Sequence, residues 1–312
     1  MPRYVNPFTD FGFKKIFGEE ANKPILLDFL NALLPPHDRI RDLTFRNPEQ
    51  RGATALERRS IFDIYCENER GERIIVELQK AQQYFFKDRM VFYSTFPIRE
   101  QANRGDWDYS LKAVYCVGIL DFRFNDPTDQ ARDEVRHEVK LKNQHGEVFY
   151  DKLTYIYLEM PNFHKTEAEL TTRLDQWLYF IKHLEDFDRI PHIFRESVFV
   201  QAFEQAAIAR FEPDEMDSYE YSLKNYRDWY AITKYALEEG TRQAIAKSLQ
   251  EGIEKGLQEG RQEGIEQGIE QGLQQGIQQG IQQVARNLKA GGVVPALIAQ
   301  ATGLTEAEIA AL

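Results

Sequence analysis

Cysteine is scarce: only Cys66 and Cys116 occur in 312 residues, and both sit inside apolar runs. Their spacing is not that of zinc ligands, and two core thiols make no disulfide framework. They read as buried thiols of a protein kept in a reducing compartment. No stretch approaches the ~18 apolar residues of a membrane span. The opening Met1-Pro2-Arg3-Tyr4-Val5-Asn6 lacks the apolar centre of a secretory signal. These absences predict a soluble, cytoplasmic chain with no membrane segment. Positive charge is short as well, with 39 Lys and Arg against 50 Asp and Glu and a formal net charge of −11. Nothing global therefore draws the chain to a polyanion, and any such attraction needs a local basic patch. Candidates are Arg51, Arg58 and Arg59, then Lys87, Arg89, Arg99 and Arg104, with ordinary solvated charge as the competing reading.

What is present is a strand pair carrying two carboxylates: Ser60-Ile61-Phe62-Asp63-Ile64-Tyr65-Cys66 and Arg73-Ile74-Ile75-Val76-Glu77-Leu78-Gln79. Asn68-Glu69-Arg70-Gly71 between them has the polarity and the glycine of a hairpin loop. With Glu69-Arg70-Gly71 as the loop, Asn68 faces Glu72 and Asp63 faces Glu77. That register sets Phe62, Ile64 and Cys66 against Leu78, Val76 and Ile74 on one apolar face. On the other face Ile61 meets Gln79, Asp63 meets Glu77 and Tyr65 meets Ile75. A one-residue slip would scramble the match, so the pattern argues for its own register. Apolar residues on both faces predict a sheet covered on both sides.

Like charges opposite each other on paired strands destabilise them, and covering a carboxylate adds a desolvation cost. Asp63 and Glu77 are therefore costly unless a cation lies between them. Mg²⁺ suits such a pair, because it takes one or two carboxylates and fills its other positions with waters and phosphate oxygens. Gln79 shares the face of Glu77 and is placed to orient a water or a phosphate oxygen. The plain alternative is a solvated polar stripe on a hairpin.

Around this pair the patterns are clear. Asn6-Pro7-Phe8-Thr9-Asp10-Phe11-Gly12-Phe13-Lys14-Lys15-Ile16-Phe17-Gly18 opens with a capping residue and sets Phe13, Ile16 and Phe17 on one helical face. A second helix spans about residues 22–34 and ends at Pro35-Pro36. After the strand pair, a helix over about residues 81–103 carries Arg89 and Tyr93 four apart, with Pro97 as a kink or break. The near-continuous apolar run over residues 111–121 reads as a central strand reached by a helical crossover. Residues 134–141 and 152–160 alternate like antiparallel strands, joined by Asn143-Gln144-His145-Gly146. Residues 166 to about 250 read as helical. The order describes an α/β core with a helical extension.

An Asp on one hairpin strand, Glu-x-Gln on the next, then a crossover helix and strand, resembles the PD-(D/E)XK nuclease superfamily. In detail the chain is similar to the recombination-promoting nuclease (Rpn) family. The matching pieces are residues 9–18, Leu30-Asn31-Ala32-Leu33-Leu34, Phe62-Asp63, Val76-Glu77-Leu78-Gln79, and Arg89 with Tyr93. The resemblance implies an α/β fold in which helices flank a mixed sheet. It also implies metal-dependent hydrolysis of DNA phosphodiester bonds, in recombination or on mobile or foreign DNA. Asp63 and Glu77 would ligate Mg²⁺, with Mn²⁺ as a substitute. Gln79 stands where the wider superfamily usually has a catalytic Lys, and Phe62 where it often has Pro. The Gln removes one cation that would face the phosphate. Asp10 matches an acidic residue that often joins the metal site, with helix N-capping as its alternative. Arg89 and Tyr93 would hold a phosphate or brace Glu77, against a purely packing role. The competing function is a DNA-binding or assembly protein that keeps the fold without catalysis, and cleavage of RNA is a third.

The tail has its own signature. Glycine recurs every four residues from Gly252 to Gly280, with aliphatic and Glu, Gln or Lys residues between. On a helix, a period of four advances about 40° beyond each turn, so the stripe winds in a right-handed sense. Each glycine costs a helix on the order of 1 kcal/mol, which close approach to a partner helix would offset. This predicts homo-oligomer formation through the repeat, with a flexible spacer as the alternative. Beyond it, Pro295 opens a helix and Thr305-Glu306-Ala307-Glu308 forms a capping box, an arrangement compatible with a helix-turn-helix. The final helix has Glu306 and Glu308 but no Lys or Arg, which favours a packing role over DNA contact. The expected organisation is a nuclease-like core at 1–165, a helical extension at 166–250, the repeat helix at 251–283 and a small helical cap at 284–312.

Overall fold

The computed structural model describes residues 2–47, 49–50, 60–81, 85–102, 108–124 and 134–312. Arg51, Arg58, Arg59 and Arg104 of the expected basic patch lie outside the described residues. The strands are β1 (Leu43–Phe45), β2 (Glu49–Gln50), β3 (Ser60–Ile61), β4 (Ile64–Asn68), β5 (Arg73–Gln79), β6 (Val114–Leu120), β7 (Arg136–Lys142) and β8 (Val148–Glu159). The helices are α1 (Asp10–Phe17), α2 (Lys23–Leu33), α3 (Phe86–Arg99), α4 (Arg173–His183), α5 (Ser197–Gln205), α6 (Pro213–Ala290), α7 (Pro295–Thr302) and α8 (Glu306–Ala311). Six strands form one mixed sheet in the order β1-β4-β5-β6-β8-β7, with β6 parallel to both neighbours and the other pairs antiparallel. β2 and β3 pair separately. The fold is α/β, a mixed six-strand sheet with flanking helices and a long C-terminal helix.

The expected hairpin register holds. Tyr65 pairs with Ile75 and Cys66 with Ile74, and the Asn68 and Gly71 N–H groups close the loop on Glu72 O and Asn68 O. Gly71 has φ +80°, a conformation that side chains with a Cβ rarely adopt. One detail differs. The first strand is not continuous, because the chain leaves the ladder at Phe62-Asp63 between β3 and β4. Ile64, Cys66, Ile74, Val76 and Leu78 join one core, whereas Phe62 turns to the opposite face beside Tyr65 and Ile75. The break re-aims Phe62 and leaves Asp63 free to bend toward β5.

Both faces of the sheet are covered. On one side α1, α2, α4 and α5 contribute Phe17, Phe29, Trp177, Phe180, Phe199 and Phe203 to a large aromatic-rich core. On the other, α3 packs Phe86, Met90 and Phe96 against Phe62, Cys116 and Tyr157. The crossover helix is shorter than its sequence pattern, and it continues through Pro97 to end two residues later. Cys66 and Cys116 are buried free thiols.

The chain divides into two compact units, Met1–Ala231 and Ile232–Leu312. In the second, residues 252–280 are helical throughout, and Ala285, Ile298 and Ile309 form a small core of their own. The Thr305–Glu308 capping box is present, with Thr305 N–H donating to Glu308 Oε2 at 2.8 Å. Among the described residues no helix is long and apolar enough to cross a membrane.

Candidate functional site

The site starts from the turn before α1. Asn6 Oδ1 accepts from Phe8 N–H at 2.8 Å, Thr9 Oγ1 donates to Asn6 O at 2.7 Å, and the same oxygen accepts from Gly12 N–H at 3.0 Å. A Cβ on Gly12 would lie 2.3 Å from Asn6 O, so this tight turn admits only glycine. Thr9, not Asp10, is the N-cap. Asp10 occupies the first turn, where a carboxylate suits the helix dipole, and lines a cavity of about 660 Å³ together with Asp63. Lys14, one turn further along, reaches Asp10 Oδ1 at 2.8 Å and Asp63 Oδ1 at 3.7 Å.

Asp63 and Glu77 come together by side chain to backbone bonds in both directions. Glu77 Oε1 accepts from Asp63 N–H at 3.2 Å, and Asp63 Oδ2 accepts from Leu78 N–H at 2.7 Å. Asp63 thus replaces a ladder acceptor with its own carboxylate at the point where β4 has not yet begun. The Glu77 side chain is buried in the sheet, only 6 % exposed. Burial pushes the Asp63 carboxyl above the usual range, against the pull of Leu78 N–H and Lys14. Burial also raises Glu77, the Asp63 charge adds to this, and Arg89 works in the opposite direction. Two desolvated carboxylates sharing one place are an arrangement that a cation relieves.

Whether Mg²⁺ fits follows from this donor set. Among the described residues, no group of three or more His, Cys, Asp and Glu could hold a metal. Two carboxylates suffice for Mg²⁺, which completes its shell with water and phosphate oxygens. Burial raises the pKa of both groups, against the weaker pulls of Leu78 N–H and Lys14 on Asp63 and of Arg89 on Glu77. The residues fit the ion.

Gln79 is not an idle amide facing the cavity. Its Nε2 donates to Ala81 O at 2.8 Å and its Oε1 accepts from Arg89 Nη2. Arg89 also lies over the rings of Phe86 and Tyr93, 5.4 and 5.6 Å from their centroids. Tyr93 packs edge-on against Phe62, 5.2 Å between centroids, and its hydroxyl pKa is raised by burial and by the Glu77 charge. Arg89 thus links Gln79 and Tyr93, and its charge acts on Glu77.

Two features of the site go beyond the sequence reading. Lys80, the first residue after β5, lines both the large cavity and a smaller one of about 270 Å³ that also holds Asp10, Asp63 and Gln79. The first turns of α6 form a wall, with Ser218, Tyr221, Ser222 and Asn225 on the large cavity and Trp229 on the small one. Their spacing of three, four and seven puts them on one helical face. Phe11 N–H donates to Ser222 Oγ at 3.1 Å, and Lys15 pairs with Glu215 at 2.6 Å, which ties this wall to α1. Lys14 was legible as the i+4 partner of Asp10. Lys80 was not, because strand alternation would send it to the face opposite Gln79.

A family model described as PD-(D/E)XK nuclease family transposase matches residues 7–236. That span holds α1, the whole sheet, α3 and the cavity wall of α6. No curated protein and no solved structure matches the chain.

Proposed function

The chain belongs to the PD-(D/E)XK nuclease family of transposases, which covers the recombination-promoting nucleases, and from that premise we propose that it is a metal-dependent DNA endonuclease centred on Asp63 and Glu77. The observation that carries this reading is the pair itself, a buried Glu77 and a half-buried Asp63, each fixed by a backbone N–H of the other's segment. Asp63 and Glu77 would hold Mg²⁺ or Mn²⁺, with Asp10 near enough to the cavity to join through water. When bound, the ion lowers the pKa of a water and neutralises charge on the phosphate. The remaining work falls to the protein. Leu78 N–H holds the Asp63 carboxylate in place, and Lys14 offsets part of the charge of Asp10 and Asp63. Gln79 fixes Arg89, whose charge steadies Glu77. Water oxygen bonds to phosphorus, one ester P–O bond breaks, and the departing oxygen takes up a proton, leaving a phosphate monoester and a hydroxyl.

The tail supports a second element of the proposal, assembly of copies of this chain. Ile253, Leu257, Ile265, Ile269, Leu273 and Ile277 on α6 are each more than half exposed, and a Cβ on any glycine from 252 to 280 would meet nothing within 4 Å. Such a surface suits a close-packed helix partner. Its assembly role alone would define a non-catalytic protein, and the two readings separate in one assay. Purified full-length chain is incubated with supercoiled plasmid, or an RNA of matched length, in Mg²⁺, Mn²⁺ or EDTA. Nicking of the plasmid that EDTA abolishes is expected. Metal-independent binding without cleavage of either substrate would favour the assembly reading, and cleavage of RNA alone would move the substrate class.

A further inference from the structure

Resting on the nuclease reading above, we propose that Lys80 is the catalytic cation that meets the scissile phosphate, a task that Gln79 cannot perform. Gln79 is uncharged, and both ends of its amide are taken, by Ala81 O and by Arg89. Lys14 is the other cation in the large cavity next to Asp63, but its ammonium is committed to Asp10 at 2.8 Å. Lys15 is committed to Glu19 and Glu215. Lys80 differs from both. Among the described residues no carboxylate lies within ion-pair distance of it; burial lowers its pKa, and the Asp10 and Asp63 charges act in the opposite direction.

Its ammonium nevertheless has a neighbour on α6. The ammonium sits 5.8 Å from the centre of the Tyr226 ring, and Tyr226 OH donates to Asp121 Oδ2 at 3.0 Å. An aromatic face attracts a cation without neutralising it. Lys80 is thus held at the cavity by a platform on α6 and keeps its charge available for an incoming anion. The end of β5 makes this possible, because alternation turns Lys80 to the face of Val76 and Leu78, the side on which α1 and α6 line the cavity. As water adds to phosphorus and the ester P–O bond breaks, negative charge builds on the non-bridging oxygens, and the Lys80 ammonium lies on the side of the cavity to receive it. No proton need leave Lys80 in this step.

The test compares full-length wild type, Lys80→Met, Lys80→Arg, Gln79→Ala and Asp63→Asn in single-turnover plasmid cleavage with Mg²⁺. DNA binding in EDTA over a range of salt is measured alongside, as is the shift in melting temperature on adding Mg²⁺. Loss of one preorganised charge contact costs on the order of 100-fold or more in rate. Lys80→Met should therefore cleave at least about 100-fold more slowly than wild type. Its log–log salt dependence of DNA binding should flatten by about one counterion. Its Mg²⁺-induced melting shift should match wild type, and Lys80→Arg should recover most of the rate. A Lys80→Met protein that cleaves at the wild-type rate while Asp63→Asn is dead overturns this inference alone. So does a Lys80→Met protein that loses its Mg²⁺ response, or a larger loss in Gln79→Ala than in Lys80→Met. No cleavage by wild type overturns the nuclease reading and this inference with it.

Discussion

Asp63 and Glu77 are joined through backbone rather than through a ladder pair: Glu77 Oε1 accepts from Asp63 N–H at 3.2 Å while Asp63 Oδ2 accepts from Leu78 N–H at 2.7 Å. Each carboxylate is thereby fixed by the segment that carries the other. The geometry holds two like charges close together without a direct bond between them. Lys14, 3.7 Å from Asp63 Oδ1, offsets only part of that charge. The pair is costly in isolation, a cost that a divalent cation would offset.

Metal binding should therefore depend on pH. Both carboxyls have pKa values raised by burial, so protons compete with the ion for the same oxygens. For an acid whose folded pKa is raised, the metal-free fold is favoured at low pH and loses that stability as pH rises. Mg²⁺ would bind the deprotonated pair, so its stabilisation would run the other way. The rise in melting temperature on adding Mg²⁺ should be larger in mildly basic than in mildly acidic buffer. In Glu77→Gln it should largely vanish, and in EDTA that variant should melt no lower than wild type near neutral pH. A Mg²⁺ shift of equal size across that range would count against a raised-pKa pair as the ligand.

Gly12 underlies the position of Asp10 and Lys14. A Cβ there would meet Asn6 O at 2.3 Å and Thr9 Oγ1 at 2.7 Å, both parts of the turn that caps α1. Gly12→Ala should cost about 2–4 kcal/mol in a denaturant titration, the range of a strained backbone combined with a lost cap. A change under about 0.5 kcal/mol, typical of surface substitutions, would show that the turn relaxes freely.

Asp121 carries a separate pH signature. Burial raises its pKa to about 6, against the smaller pulls of Tyr226 OH and Lys182. An unfolded Asp titrates near about 3.9, so between these values the folded state binds the extra proton. Its contribution to stability is present at low pH and is lost as pH rises through about 6. Asp121→Asn, which can still accept from Tyr226, should flatten the fall in stability between acidic and neutral pH. An unchanged slope in urea titrations across that window would contradict the assignment.

The repeat helix predicts self-association. Ile265 and Ile269 are 53 % and 65 % exposed beside glycines that leave the backbone open. Replacing both with Glu should lower the molar mass of the full-length chain in light scattering toward that of a single copy. It should leave the melting of the Met1–Ala231 unit unchanged. A wild-type chain that is already monomeric at high concentration would remove the assembly role.

Much of this was legible in the sequence, for physical reasons that differ by residue. The register of β4 and β5 followed from alternation and from Gly71, because only one pairing buries Ile64, Cys66, Ile74 and Val76 together. Phe62 escaped because alternation assumes a continuous ladder, and Asp63 breaks the ladder by taking Leu78 N–H with its side chain. By residue type Asp10 suits a helix cap, but Thr9 fills that role because its hydroxyl reaches both Asn6 O and Gly12 N–H. Gln79 read as an amide free to orient a water. Its engagement with Arg89 depends on how α3 returns over the sheet, which no local pattern encodes. Lys80 and the α6 wall are long-range meetings of the same kind. In the Sheet edge and in the tail, by contrast, Asn143–Gly146 and Thr305–Glu308 were legible because turn and cap chemistry is local.

The most direct measurement is single-turnover cleavage of supercoiled plasmid in Mg²⁺ by wild type and by Asp63→Asn, with folding of both checked by melting. Asn keeps an acceptor for Leu78 N–H while removing the charge. Wild type should cleave and EDTA should stop it, and the folded variant should lose at least about 100-fold, the scale of removing a preorganised electrostatic element. Equal cleavage by a folded Asp63→Asn protein would contradict this role for Asp63 and move the reaction, if any, away from this hairpin.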